Sequence, residues 1–217
     1  MNQTKPIIPL KERLAYFAIG SILFLLFVLF SYVVAREWFG QIDFDLTVKM
    51  QDRISRRFDN PFSTFSLLGS VEVTSVIFIL IYVLSLRKLH RLFIIATFPL
   101  FHIFELVGKT IVHHPGPPFM FHRYSLGLSF PSFYVNTDYS YPSGHVGRTV
   151  MLALIISFLI MKTKLSTFKK QIIWFTLAGI CVVMAISRIY LGEHWFSDVA
   201  GGAILGASFA VFTAFLW

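Results

Sequence analysis

Two apolar runs separated by a short polar turn lie within residues 182–205, VVMAISRIYLGEHWFSDVAGGAIL. Each run continues beyond this stretch and approaches the ~20 apolar residues that cross the hydrocarbon core of a bilayer. The turn carries Arg188, His194 and Asp198, and ionisable groups at membrane depth are costly and usually paired or functional. The stretch therefore predicts a membrane-spanning helical hairpin with a polar site at its turn.

The composition of the whole chain indicates a membrane protein. Hydrophobic residues make up 56% of its 217 residues and charged residues 14%, with a mean hydropathy of +0.70, whereas a soluble domain carries about 25% charged residues. The length predicts a single domain, residues 1–217. Cys181 is the only cysteine, so the chain cannot form an internal disulfide, and we interpret Cys181 as an inert apolar residue of a span.

Six apolar runs predict an all-α bundle of six transmembrane helices. The predicted spans are 14–35, 70–86, 92–112, 146–161, 172–190 and 199–217. The first run also has features of a secretory signal, because basic residues precede it and Val33 and Ala35 suit a cleavage site. However, it is longer than the roughly 7–15-residue core of such signals, so we interpret it as a span.

The distribution of basic residues predicts the orientation in the membrane. Six spans place both termini on one side, together with segments 87–91 and 162–170. These three regions hold ten Lys and Arg residues and one acidic residue, Glu12, whereas segment 36–59 on the other side mixes both charges. The positive-inside rule therefore predicts cytoplasmic termini. Because topology explains most of the net charge of +8, we expect no nucleic-acid partner.

Three further segments have features that bear on the fold. Segment 36–69 is partly amphipathic and is either a helix lying along the membrane interface or a solvated connector. The outer loop 113–141, which includes Pro131 and Tyr134, is expected to be irregular but ordered. The glycine-rich segment 200–207 is suited to close helix packing. We favour packing within the chain over a dimer contact, and no obligate protein partner is evident.

Three polar clusters lie at predicted span ends, all on the extracytoplasmic face. They are Lys109 with residues 113–117, then residues 142–145, and then residues 187–198. Three separate polar clusters on one face are harder to explain by chance than a single cluster. We therefore expect the active site at this outer face.

The second cluster has the features of an anion site. Ser143 and Gly144 precede an apolar run, which predicts a helix start whose backbone N–H groups and positive end attract phosphate. Ser143 adds a hydroxyl donor, and Gly144 lets an anion approach the backbone. A plain helix cap is the alternative.

The third cluster has the spacing of a histidine–carboxylate pair. His194 and Asp198 are four residues apart and share one face of a helical turn. A carboxylate bonded to one ring nitrogen fixes the tautomer and leaves the other nitrogen free to attack, although a capping pair would have the same spacing. Arg188 and Lys109 are suited to phosphoryl oxygens, unless they only extend to the membrane interface.

A metal site is the competing chemistry for these clusters. The possible ligands are His113, His114, His145, His194 and Asp198. No two histidines have the four-residue helical spacing of a zinc protease, and His113 and His114 would point apart on a helix. We therefore expect no metal.

The second and third clusters resemble two motifs of the type 2 phosphatidic acid phosphatase superfamily of membrane lipid phosphatases. The Pro-Ser-Gly-His motif is intact at 142–145. The next motif (Ser-Arg, five residues, His, three residues, Asp) is intact across 187–198. In the first motif, Lys109 and Pro117 match but Gly116 replaces an arginine. Arg123 or Arg148 could take its place, and we favour Arg123 because its loop can fold over the site.

The resemblance implies a two-step phosphatase that uses neither metal nor other cofactor. His194 would attack phosphorus while Asp198 orients it, and His145 would protonate the leaving oxygen and then activate water. The residues implied to hold the phosphoryl oxygens are Lys109, Ser143, Gly144 and Arg188.

The implied partner is a membrane lipid in the bilayer, in what we expect to be a bacterial inner or plasma membrane. Polyprenyl diphosphate is our first choice of substrate, ahead of phosphatidylglycerol phosphate and phosphatidic acid. Two alternatives use the same fold: a lipid phosphotransferase and a non-catalytic lipid transporter.

Overall fold

The computed structural model describes residues 9–84, 88–127, 130 and 139–215, excluding the side chains of 84 and 88–94. No strand occurs among these residues, so the all-α prediction is confirmed. Pro131 and Tyr134 lie outside the described part of the chain. The α-helices are α1 (Leu10–Ala35), α2 (Gly40–Arg53), α3 (Asp59–Ser66), α4 (Val71–Leu84), α5 (Lys88–Ile111), α6 (Gly144–Met161), α7 (Thr167–Tyr190) and α8 (Phe196–Phe215).

The chain is a multi-pass membrane protein. Among the described residues, α1, α6, α7 and α8 are long and apolar enough to cross a membrane, and α1 carries exposed aliphatic side chains such as Ile22 (65% exposed). A fifth span results if Arg56–Gly69 and Val71–Val83, which are bent by 44°, are counted as one broken span. The predicted third span coincides with α5. The count of six stays a prediction.

Helix α8 lies at the centre of the bundle, against α1 and α6. Its glycines permit this packing, because a Cβ at Gly202 would overlap the carbonyl of Ser143 and a Cβ at Gly206 would overlap the carbonyl of Gly147. On the other side, the hydroxyl of Ser208 donates to the carbonyl of Gly20 in α1 (3.1 Å). The glycine-rich segment 200–207 therefore packs within the chain, as predicted.

Tyr141 fixes the segment that leads into α6. Its side chain is fully buried, its hydroxyl lies 2.9 Å from Ser31 Oγ of α1, and its ring stacks on Phe27. A Cβ at Gly201 of α8 would overlap this ring. The tyrosine thus holds the start of α6 against both α1 and α8.

Helix α2 turns its polar face inward. Asp43 and Thr47 are buried, whereas Ile42 and Phe44 are about half exposed. The side chain of Gln51 donates to backbone carbonyls of the loop before α6 and of the end of α7. Segment 36–69 is therefore largely helical, and the outward apolar residues of α2 fit the interfacial-helix interpretation.

Candidate active site

The three polar clusters, which are far apart in sequence, meet at one end of the bundle. The backbone N–H of Ser143 donates to the carbonyl of Asp198 (2.9 Å), which joins the second cluster to the third. The indole N–H of Trp195 donates to the carbonyl of Pro115 (2.8 Å), which joins the third to the first. These contacts link the three clusters at one end of the bundle.

The predicted contact between His194 and Asp198 is present, with 3.2 Å between Nδ1 and Oδ2. An ionised carboxylate only accepts hydrogen bonds, so Nδ1 carries the hydrogen, and the lone pair of the neutral ring lies on Nε2. Burial lowers the pKa of His194 below its ordinary value, although the hydrogen bond and charge of Asp198 oppose this shift. A lowered pKa keeps the ring neutral, which nucleophilic attack requires.

Gly192 makes the turn that carries His194. Its φ of +68° lies in the left-handed region, which glycine adopts without a steric penalty. A Cβ at this position would also overlap the carbonyl of Phe121, and the N–H of His194 donates back to the carbonyl of Arg188 (3.2 Å). The turn is therefore fixed both by its own backbone and by the loop before α6.

Several buried polar atoms of these clusters have no hydrogen-bond partner among the described residues. They include Ser143 Oγ, His145 Nε2 and Arg188 Nε. A buried polar atom without a partner costs about 1–3 kcal/mol. His145 lies within electrostatic range of Arg188 and His194. A phosphoryl group at this position would supply acceptor oxygens for the donors among these side chains.

Ser143 immediately precedes α6, but its side chain does not cap the helix. The helix begins at Gly144, as predicted, and Ser143 occupies the position before it with no side-chain capping bond. The plain-cap interpretation therefore has no contact to support it. The hydroxyl of Ser143 is buried and has no hydrogen-bond partner among the described residues.

Lys109, in the last turn of α5, and Arg123, in the segment between α5 and α6, border the site. The ammonium of Lys109 donates to the carbonyl of Ser140 (3.1 Å) and lies within electrostatic range of Asp198. The guanidinium of Arg123 stacks over the ring of Tyr190 (5.1 Å), and its Nη1 is buried without a hydrogen-bond partner in the described part of the chain. Arg123 thus lies beside the turn that carries His194.

Arg148 is engaged beneath the start of α6. Its Nη1 lies 2.8 Å from Glu105 Oε2, and its Nε donates to the carbonyl of Gly69 (3.0 Å). A Cβ at Gly144 would overlap the Glu105 carboxylate, so the glycine also makes room for this ion pair. The preference for Arg123 over Arg148 as the replacement at Gly116 stays a prediction.

Replacing Arg148 with leucine is expected to destabilise the protein by about 3–5 kcal/mol, because the buried carboxylate of Glu105 loses its partner. Replacing both residues with leucine is expected to restore most of that loss. Thermal unfolding of the purified variants in detergent measures the difference. Equal destabilisation in the single and double variants would contradict the unpaired carboxylate of Glu105 as the cause of the loss.

The described histidines and carboxylates do not form a group that could hold a metal ion. His113 is exposed and packs against the ring of Tyr139 (4.9 Å), whereas His114 is buried. Both histidines lie beyond the end of α5, so the helical arrangement considered for them does not occur.

The fold and the site together define a membrane-embedded helical bundle with a histidine–carboxylate pair, a helix start and cationic donors at one end. The chain belongs to the PAP2 superfamily, whose family model matches residues 87–217. Similarity to a solved structure supports the fold. The crystal structure of a transmembrane PAP2 type phosphatidylglycerolphosphate phosphatase from Bacillus subtilis covers 90% of this chain and 93% of its own, with a TM-score of 0.71 and 20% identity.

Two curated relatives match a shorter part of the chain. Phosphatidylglycerophosphatase B of Bacillus subtilis is 38% identical over 73 residues, which is 32% of this chain and 35% of the relative. Undecaprenyl-diphosphatase of Sulfolobus acidocaldarius is 41% identical over 73 residues, which is 33% of this chain and 30% of the relative. The matched part of the chain thus spans about a third of the length of these relatives.

Proposed function

We propose that this protein is an integral membrane lipid phosphatase that works through a phosphohistidine intermediate without a metal. The observation that carries the proposal is the His194–Asp198 pair, which leaves a lone pair on Nε2 beside donors that lack partners. The names of the two curated relatives support a lipid phosphate or diphosphate as the substrate class. Within this class, our first choice is polyprenyl diphosphate, followed by phosphatidylglycerol phosphate and phosphatidic acid.

In the first step, His194 Nε2 attacks the terminal phosphorus while the bond from phosphorus to the leaving oxygen breaks. His145 donates its proton to that oxygen. In the second step, neutral His145 takes a proton from water, and the resulting hydroxide attacks the phosphohistidine. The products are inorganic phosphate and free His194. Phosphoryl transfer depends mainly on positioning and charge stabilisation.

The residues proposed to hold the phosphoryl oxygens are Lys109, Arg123, Ser143, Gly144 and Arg188. Arg188 also pairs with Glu193 (3.2 Å), which leaves its Nε for the ligand. We propose that the site faces the extracytoplasmic side of a six-span bundle, in accordance with the basic residues near the termini.

The function is tested with purified protein in detergent, in the presence of excess chelator. Polyprenyl diphosphate, phosphatidylglycerol phosphate and phosphatidic acid are supplied separately while free phosphate is measured. We expect release from at least one lipid, unchanged by the chelator. No release from any of them would contradict the proposal, and loss of release with chelator would contradict the metal-free mechanism. Added acceptor lipid distinguishes hydrolysis from transfer.

Replacing His145 with alanine is expected to slow hydrolysis of the lipid substrate about 10²- to 10⁴-fold, the usual contribution of a general acid or base. The first step with p-nitrophenyl phosphate needs no acid, because nitrophenolate leaves without a proton. The variant should therefore release a burst of one nitrophenolate per enzyme and then turn over slowly, since water activation is also lost. Stopped-flow absorbance measures this burst. Equal slowing of the burst and of the later steady turnover would contradict the double role of His145.

The pH dependence follows from the lowered pKa of His194. The nucleophile must be unprotonated, and a lowered pKa keeps it neutral at more acidic pH. We therefore expect the acid limb of kcat/KM to lie below the ordinary histidine pKa of about 6.5. A pH–rate profile of the wild-type enzyme measures this limb. An acid limb well above pH 6.5 would contradict this assignment.

A further inference from the structure

A second buried network lies behind the His194–Asp198 pair. Asp43 of α2 accepts the backbone N–H of Ser197 on Oδ1 (2.8 Å) and its hydroxyl on Oδ2 (2.7 Å). His114 Nε2 lies 3.1 Å from Ser197 Oγ. The same nitrogen lies 3.7 Å from a carboxylate oxygen of Asp43 and 3.7 Å from one of Asp198. All four side chains are buried.

The hydrogen bonds assign the proton on His114. A serine hydroxyl has one hydrogen, and Ser197 donates it to the carboxylate of Asp43. Ser197 Oγ can then only accept from His114, so Nε2 of His114 carries a hydrogen. This N–H lies between two carboxylates that would otherwise face each other in a buried environment.

The same N–H is close to the oxygen of Asp198 that His194 does not use. Oδ2 of Asp198 accepts from His194 and from the backbone N–H of Trp195. Oδ1 has no hydrogen bond among the described residues, and Nε2 of His114 lies 3.7 Å from it. A hydrogen on this nitrogen attracts Oδ1 electrostatically, in addition to the hydrogen bonds that hold Oδ2.

We propose that His114 and Asp43 are positioning residues for His194. The N–H of His114 attracts Oδ1 of Asp198 electrostatically, which keeps Oδ2 aligned with His194, and Asp43 holds His114 through Ser197. The inference rests on the nucleophilic role of His194 proposed above. It gives helix α2, which lies outside the matched region 87–217, a part in the reaction.

The buried carboxylates of Asp43 and Asp198 explain why both His114 and Asp43 are needed. Burial raises the pKa of Asp43 above its ordinary value, whereas the hydrogen bonds from Ser197 lower it. A donor between the two carboxylates reduces their repulsion and weakens the field of Asp198 at His194. Loss of that donor should therefore raise the pKa of His194. The other ionisable groups near His194 are Lys109 of α5, His145 of α6, Arg188 of α7 and Glu193 of the turn.

The test compares His114→Leu, which removes the donor, with His114→Gln, whose amide N–H extends to a similar point. We expect His114→Leu to lower kcat about 10- to 100-fold, the range typical of groups that orient a functional side chain. Its acid limb should move to higher pH. His114→Gln should retain activity within a few-fold of wild type. Equal losses of kcat in His114→Leu and His114→Gln, with the acid limb of His114→Leu at the same pH as in wild type, would overturn the proposal.

A second variant tests whether Asp43 acts through the same network. Adding Asp43→Asn to His114→Leu removes one of the two facing carboxylates, so the double variant should be more active than His114→Leu alone. A double variant no more active than the single one would overturn the role of Asp43. Matched controls are His113→Leu, which alters the exposed neighbouring histidine, and Asp52→Asn, which removes an exposed charge of α2. Both should behave like wild type.

A third measurement needs neither turnover nor a folded variant. Nitrogen NMR of ¹⁵N-histidine-labelled wild-type protein in detergent reports which ring nitrogens carry hydrogen. We expect a hydrogen on Nε2 of His114 and on Nδ1 of neutral His194. An unprotonated Nε2 on His114 would overturn the inference. Failure of the wild-type protein to release phosphate would instead contradict the proposed function.

Discussion

Replacing His194 with alanine is expected to reduce phosphate release by a factor on the order of 10⁴ to 10⁶, the scale seen when a covalent nucleophile is removed. The substitution leaves no group that can form the covalent intermediate. The remaining donors still bind phosphate, so substrate binding should change much less than kcat. Release of phosphate from the lipid substrate over hours measures the residual rate.

The matched control is His113→Ala, which removes an exposed histidine that packs on Tyr139. It should release phosphate at the wild-type rate. If the His194→Ala variant were as fast as this control, the assignment of the nucleophile would be wrong. Thermal unfolding of both variants excludes loss of fold as the cause of any difference.

Replacing Gly206 with alanine is expected to destabilise the protein by about 3 kcal/mol or more, since overpacking of a rigid contact is costly. The added Cβ would overlap the backbone carbonyl of Gly147, which no side-chain rotation can relieve. Helices α6 and α8 would have to separate. Their separation would also weaken the contact between Ser143 and Asp198, so activity should fall together with stability.

The matched control for this prediction is Gly179→Ala in α7, where an added Cβ meets no atom within 4 Å. Alanine is favoured over glycine in a helix by roughly 1 kcal/mol, so this variant should be as stable as wild type or slightly more stable. Thermal unfolding in detergent compares the two substitutions. Equal unfolding midpoints for Gly206→Ala and Gly179→Ala would contradict the close contact between α6 and α8.

Much of the fold could be predicted from the sequence because it depends on local patterns. Apolar runs place the long helices, and a polar turn between two of them places His194 and Asp198 at one end. Their contact is local in sequence, although His194 lies in the turn before α8 and Asp198 in the first turn of that helix, so the two do not share a helix face as predicted. The glycines of α8 similarly indicate close packing before the partner helix is known.

The supporting residues could not be predicted, because their partners are distant in sequence. In the sequence, Asp43 is one of several charged residues in an outer segment. In the structure it contacts Ser197, 154 positions away. Glu105 is a lone acid in an apolar run, and only the folded chain shows that it pairs with Arg148. The sequence therefore names Arg148 as a candidate ligand but cannot show its pairing with Glu105.

We propose above that His194 carries the phosphoryl group during the reaction. The most direct test is rapid quenching of wild-type protein mixed with a lipid diphosphate labelled in its terminal phosphate, followed by peptide mapping. We predict an acid-labile, base-stable phosphate on the peptide containing residue 194. Turnover without label at residue 194, or equal labelling of His194→Ala, would contradict it.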